Sequence, residues 1–261
     1  MLLKERHSME SKLFICFAAE DRYRIAEPIV YHLKNYGVNI WYDRYSLVMG
    51  DNRIEKNLID GASKCNYAIA IVSEFTVASP CTMEELSIIK KRYYAGDVFV
   101  FPVLYEISPD NLPADLLWIK ELIFKEANRT SGTYEICNHI TCKITSDILS
   151  KYEYQNIQNV IDYLSDIVPL VTYRILKSYQ EIDATNLNSK VALLYSAYIT
   201  IKVLMKPSEN VLLNMISCIF ERLFSETKLN LAIDYRELWL LENSICLLIN
   251  LYTDYCIESK I

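Results

Sequence analysis

The chain has 261 residues, 52% hydrophobic and 23% charged, with only five Gly and seven Pro. This excludes a disordered chain and long flexible linkers, and leaves room for one large domain or two small ones. A net charge of −6 excludes a general affinity for nucleic-acid backbone or anionic membrane.

The first residues, Met1 to His7, lack the apolar core of a signal peptide, so none is expected. Leu13 to Phe17 is an apolar run predicted as a strand, stopped by Glu20-Asp21, which can cap the next helix. From Arg22 to Tyr36, Ile25, Ile29, His32 and Leu33 recur at helical spacing, and Gly37 ends the pattern. Val38 to Tyr42 reads as a second strand, Asp43 to Asn52 as a polar loop, and Ile54, Leu58 and Ile59 as a helix ending at Gly61. Tyr67 to Val72 is a third strand, Thr82 to about Tyr94 a helix, and Val98 to Leu104 a fourth strand. Leu122-Ile123-Phe124 is the expected fifth strand, and Tyr134 to Tyr152 a closing helix. Near-continuous apolar strands alternating with helices predict an α/β fold, a flavodoxin-like doubly wound parallel sheet.

Within that frame, Glu85 and its neighbour Glu84 lie just past the carboxyl end of the third strand, where open α/β sheets bind ligands. The two point about 100° apart on a helix, so they cannot share one pocket. The alternative is a solvated Glu in a helix first turn, favoured there by the helix dipole.

Several motifs in order resemble a Toll/interleukin-1 receptor (TIR) domain of the bacterial kind, over roughly residues 11 to 150. Phe14-Ile15-Cys16-Phe17-Ala18-Ala19-Glu20-Asp21 is similar to the family's opening strand and acidic first loop, with Cys-Phe-Ala replacing the usual Ser-Tyr-Ser. Gly37 to Asp43 resembles its second strand, and Leu47-Val48-Met49-Gly50-Asp51 its Leu-x-x-Gly-Asp loop. Tyr67 to Ser73, the Glu85-Leu86 pair, Phe101-Pro102-Val103 and Leu112-Pro113 continue the resemblance. Where many members carry Trp four residues before the Glu, this chain has Cys81. The resemblance implies that Glu85 is the catalytic residue of an NAD+ glycohydrolase or ADP-ribosyl cyclase, with NAD+ as substrate and no cofactor. One carboxylate can stabilise an oxocarbenium-like ribosyl group while nicotinamide leaves without a general acid.

Other positions have paired readings. Asp43 and Tyr45 border the NAD site and TIR–TIR contacts by resemblance, or are ordinary turn residues. Phe17 and Trp41 end their strands at the ligand edge, or belong to the core. The loop at Ala18 and Ala19 offers backbone N–H groups to a ribose or phosphate but has no Gly-rich fingerprint. Ser73 is a ribose ligand or a helix cap. Cys81 is a reactive thiol near the site or an inert one. Lys90-Lys91-Arg92 reads as a solvated face and His139 as a satisfied, partly buried side chain. The eight cysteines (Cys16, Cys65, Cys81, Cys137, Cys142, Cys218, Cys246 and Cys256) form no C-x-x-C pair, and the His are scattered, so no metal site is expected. A reducing cytoplasmic compartment is expected, and no run of about 18 residues is apolar enough for a membrane span.

Beyond Gln155 strand signals vanish. Ile157 to Tyr179, broken by Pro169, Val191 to Met205, Val211 to Phe224 and Tyr235 to Tyr255 read as helices. Leu238, Trp239, Leu241, Leu247, Leu248 and Leu251 nearly surround the last one, which must be buried in its own domain or against a partner. The expected organisation is a TIR-like NAD-processing domain over 11–152 and an all-α helical domain for interaction or oligomerisation over 153–261. The expected function is NAD+ cleavage in bacterial anti-phage immunity, with self-association through TIR–TIR contacts and the helical domain, and a downstream effector that senses the product. The alternatives are a non-catalytic TIR adaptor and a nucleoside deoxyribosyltransferase-like N-glycosidase; under any of these readings no nucleic-acid or membrane partner is expected.

Overall fold

In the computed structural model the central strand is β3, Tyr67–Val72, whose six residues are all buried. It pairs with β1 (Leu13–Cys16) on one side and β4 (Phe99–Tyr105) on the other, while β2 (Ile40–Trp41) and β5 (Lys125–Ala127) form the edges. All pairings are parallel and the order is β2-β1-β3-β4-β5, the flavodoxin-like arrangement expected. The structure describes residues 12–151, 153–163, 165–205, 216–217, 220–221 and 233–258. It divides into two compact units: residues up to Lys34 with Val38–Ile140, and Asn35–Gly37 with residues from Thr141 onward.

The expected helix from Arg22 to Tyr36 is two elements. Arg22–Ala26 is a π-type turn, closed by Glu27 N–H donating to the Arg22 carbonyl, and an α-helix follows over Glu27–Asn35. Pro28 accounts for the break, because it has no N–H to donate to the carbonyl four residues back. Ile54–Ala62 is likewise π-type. The expected Asp43–Asn52 loop begins with a single helical turn, Asp43–Ser46.

The fifth strand lies three residues later than expected. Leu122 and Phe124 pack against the core from a loop, Ile123 is exposed, and the paired residues are Lys125–Ala127. Pairing of β5 to β4 starts at Val103, one residue past Pro102, which has no ladder donor. Charged residues suit an edge strand, which a hydrophobicity reading passes over. Arg92 also departs from the solvated face expected of it: its guanidinium donates to the Ala62 carbonyl at 2.8 Å and the Asp97 carbonyl at 3.0 Å. His139 is half-buried, 3.6 Å from Glu135.

The second unit is helical. Pro169 separates Ile157–Tyr163 from Leu170–Glu181, as expected, and Asn186 caps Leu187–Lys202 by accepting from the Ser189 N–H. The last helix, Tyr235–Glu258, starts with a reciprocal capping box between Asp234 and Glu237 and packs on Leu187–Lys202. Its Leu240, Leu241, Ile245, Leu247, Leu248 and Ile249 are buried, whereas Trp239 is exposed. Most of the expected helix Val211 to Phe224 falls outside the described residues. No described helix is long and apolar enough to cross a membrane.

Candidate active site

Strand order reverses between β1 and β3, so their carboxyl ends flank a switch point, the place where open α/β sheets take ligands. The chain leaves β3 through Ser73 and, after one short helix, enters the Pro80–Ala95 helix that carries Glu85. Ser79 caps that helix by accepting from the Thr82 N–H, and Pro80 sits in its first turn, where a missing N–H costs nothing. The helix therefore starts two residues earlier than its hydrophobic spacing predicts. Glu85 falls in the second turn, 8% exposed, and is not the solvated first-turn Glu of the alternative reading. Glu84 takes the solvent side and pairs with Arg53 at 2.6 Å.

Two side chains hold Glu85. The Asn57 side-chain N–H donates to its Oε1 from the Ile54–Ala62 helix. The Cys16 thiol, at the end of β1, has both the Glu85 carboxylate and the Thr82 carbonyl, 3.7 Å away, as acceptors. Burial lifts the Glu85 carboxyl from an ordinary 4.5 to about 7; the Cys16 and Asn57 donors and the Arg53 charge pull against burial, and the negative charge of Asp43 adds to it. Burial and the Glu85 charge in turn push the Cys16 thiol well up, so it stays a neutral donor. Near neutrality Glu85 is thus poised between acid and carboxylate, a state that chemistry at neutral pH uses and that packing alone does not require.

The other expected site residues separate into groups. Phe17, Asp43 and Tyr45 come together around Arg22 and Tyr42. The Arg22 guanidinium grips both Asp43 oxygens, at 2.7 and 2.8 Å, and lies 5.2 Å over the Phe17 ring. Phe17 and Tyr45 both lean on Tyr42, with ring centres 5.8 and 5.2 Å away. An open groove of about 510 Å³ runs beside this cluster, lined by Arg22, Tyr23, Asp43, Arg44 and Leu47 with the exposed Val48 and Met49. Glu85 is not among the lining residues.

Trp41 is instead buried against Phe14 in the core, with ring centres 5.4 Å apart. The Ser73 hydroxyl donates to the buried Asp21 at 2.5 Å and accepts the Phe75 and Thr76 N–H groups, so it is a cap with no free valence toward the groove. Ala18 is buried, its carbonyl closing the turn to the Asp21 N–H, and Ala19 is exposed. Cys81 is an exposed free thiol. The residues that reach Glu85, Cys16 and Asn57, escape the sequence reading, although a polar Asn57 on the same face as Leu58 and Gly61 is a usable signal. Among the described residues no group of three or more His, Cys, Asp or Glu could hold a metal ion.

Residues 13–131 match the family model described as TIR domain. This segment is a TIR domain. Over 108 residues the chain is 31% identical to the NAD(+) hydrolase TcpC of Escherichia coli O6:H1, covering 41% of this chain and 35% of that protein. It is 32% identical over 99 residues to the 2′ cyclic ADP-D-ribose synthase BtTIR of Bacteroides thetaiotaomicron, covering 38% and 34%. The 2′ cyclic ADP-D-ribose synthase AbTIR of Acinetobacter baumannii matches at 27% over 103 residues, covering 40% and 38%. The chain thus spans about a third of the length of these curated relatives.

Proposed function

We propose that the TIR domain cleaves the nicotinamide–ribose bond of NAD+, with Glu85 as the catalytic carboxylate. The observation that carries this reading is a single Glu, buried at the switch point, held by two donors and lifted to about 7. Similarity to proteins named NAD(+) hydrolase and 2′ cyclic ADP-D-ribose synthase supports it. As the C–N bond breaks, its electron pair leaves with nicotinamide and neutralises the ring nitrogen. The ribosyl group left behind carries positive charge between carbon and ring oxygen, which an ionised Glu85 in a water-poor site stabilises strongly. Attack by water then gives ADP-ribose, and attack by a hydroxyl of the same molecule gives a cyclic product. Bacterial anti-phage defence, in the cytoplasm, is the biological setting we attach to this chemistry, with self-association through TIR–TIR contacts.

The test is chromatographic analysis of NAD+ incubated with concentrated protein, with and without forced clustering, beside Glu85→Gln. Wild type should release nicotinamide, and Glu85→Gln should be slower by at least about a hundredfold. Equal rates would remove Glu85 from the chemistry. A second reading, a non-catalytic scaffold, draws on the exposed Val48 and Met49, an apolar tip suited to contact with another TIR domain. No turnover by clustered wild type would favour it.

A further inference from the structure

We infer that Asn57 is a positioning residue for Glu85, its side-chain N–H holding the buried carboxylate in its ionised form. The inference rests on the proposed catalytic role of Glu85. Its basis is the geometry of one carboxamide. The Nδ2 end donates to Glu85 Oε1, whereas the Oδ1 end is buried with no hydrogen-bond partner among the described residues. Asn57 itself is 8% exposed and shares its helix face with the buried Leu58, Gly61 and Ala62. Packing alone would favour Leu here, since Leu has nearly the same shape and leaves no buried oxygen unsatisfied. The position gives up stability and gains an N–H aimed at a carboxylate that burial drives toward its neutral form.

The other groups facing Glu85 do not replace that donor. From β1 comes the Cys16 thiol, a weak donor with the Thr82 carbonyl as a second acceptor. Arg53 contributes only charge, and its guanidinium is committed to Glu84 at the surface. Asp43 acts in the opposite sense, its negative charge disfavouring the carboxylate. Asn57 is the one N–H donor hydrogen-bonded to Glu85 among the described residues.

A positioning role predicts a loss that depends on pH, which a packing role does not. The measurement is kcat/KM for NAD+ from pH 5.5 to 9.5 in the full chain, clustered if clustering is needed for turnover. Wild type should rise with pH through about 7 as Glu85 ionises. In Asn57→Leu the midpoint should move up by about one pH unit, giving a loss of about fivefold at pH 7 and almost none at pH 9. Asn57→Ala should show the same displacement, which covers the case in which Leu does not fit, and circular dichroism verifies that each variant is folded. Profiles that stay parallel to wild type in folded, active variants would overturn the inference and leave the Glu85 proposal standing. A clustered wild type inert on NAD+, or a fully active Glu85→Gln, would overturn both.

Discussion

Glu85 titrates near 4.5 in the unfolded chain and at about 7 in the folded one, so between those values the folded protein holds the extra proton. Stability therefore falls as pH rises through this window, and above pH 7 a penalty of about 3 kcal/mol remains in full. Gln has the shape without the charge. Glu85→Gln is expected to melt at the same temperature as wild type at pH 4 and well above it at pH 8, while losing activity. Thermal unfolding at the two pH values checks this; a gap that does not widen with pH would mean that Glu85 is not held against its ionisation. The sequence shows that Glu85, and not Glu84, precedes Leu86 in the family register, and the burial pattern agrees: Glu85 is inside and Glu84 is paired with Arg53 at the surface. It does not show Cys16 and Asn57 converging on that carboxylate. Those contacts are made by the sheet order and by a helix packed across it, and neither leaves a mark in local spacing. The Arg22–Asp43 clamp is hidden for the same reason.

Between elements, the close approach of the Ile54–Ala62 helix to the sheet sets where Asn57 can reach. Gly61 makes that approach: a Cβ there would lie 2.8 Å from Phe14 Cε2, 3.1 Å from Cδ2 and 3.4 Å from Trp41 Cδ2. Those atoms belong to buried rings that cannot swing aside, so Gly61→Ala must push the helix outward. The expected cost is about 1–3 kcal/mol, and because the same shift draws Asn57 away from Glu85, activity at pH 7 should fall with stability. Urea unfolding and NAD+ turnover on one preparation test this, and an unchanged midpoint would show that Phe14 can yield. Trp41 belongs to this packing, which explains why a strand-end aromatic that reads equally well as a ligand shelf is core. At this scale the sequence is most legible where a strand is buried on both faces: Tyr67–Val72 can be read residue for residue. Legibility fails at the sheet edge, where Lys125 and Glu126 carry no apolar signal, and at Pro28, whose missing N–H widens a turn that periodicity alone draws as a continuous helix.

For the whole molecule, the relevant fact is that each of the two units has its own buried core. The TIR unit centres on β3, with Phe14, Ile69 and Ile71 fully buried; the helical unit centres on Leu176, Leu194, Tyr198 and Leu241. The helical core also holds a polar cluster. Tyr179 donates to Glu242, and the Lys190 ammonium donates to the Tyr179 carbonyl at 3.1 Å while sitting 4.0 Å from its ring centre. Burial and the Glu242 carboxylate push the Tyr179 hydroxyl far above its ordinary range, so it stays a donor at every accessible pH. The amphipathic spacing of the second half foretells helices but not this cluster, whose members lie on three different ones. Separate cores predict separate transitions. Calorimetry of the full chain should resolve two, with Gly61→Ala lowering one and Tyr179→Phe lowering the other by about 1–2 kcal/mol through the lost hydrogen bond. Adding ADP-ribose, the product of the proposed reaction, should raise only the transition that Gly61→Ala lowers, because a ligand stabilises the unit that binds it. One transition moved by both substitutions would mean that the units unfold together, and the helical half would then act on the stability of the TIR domain directly.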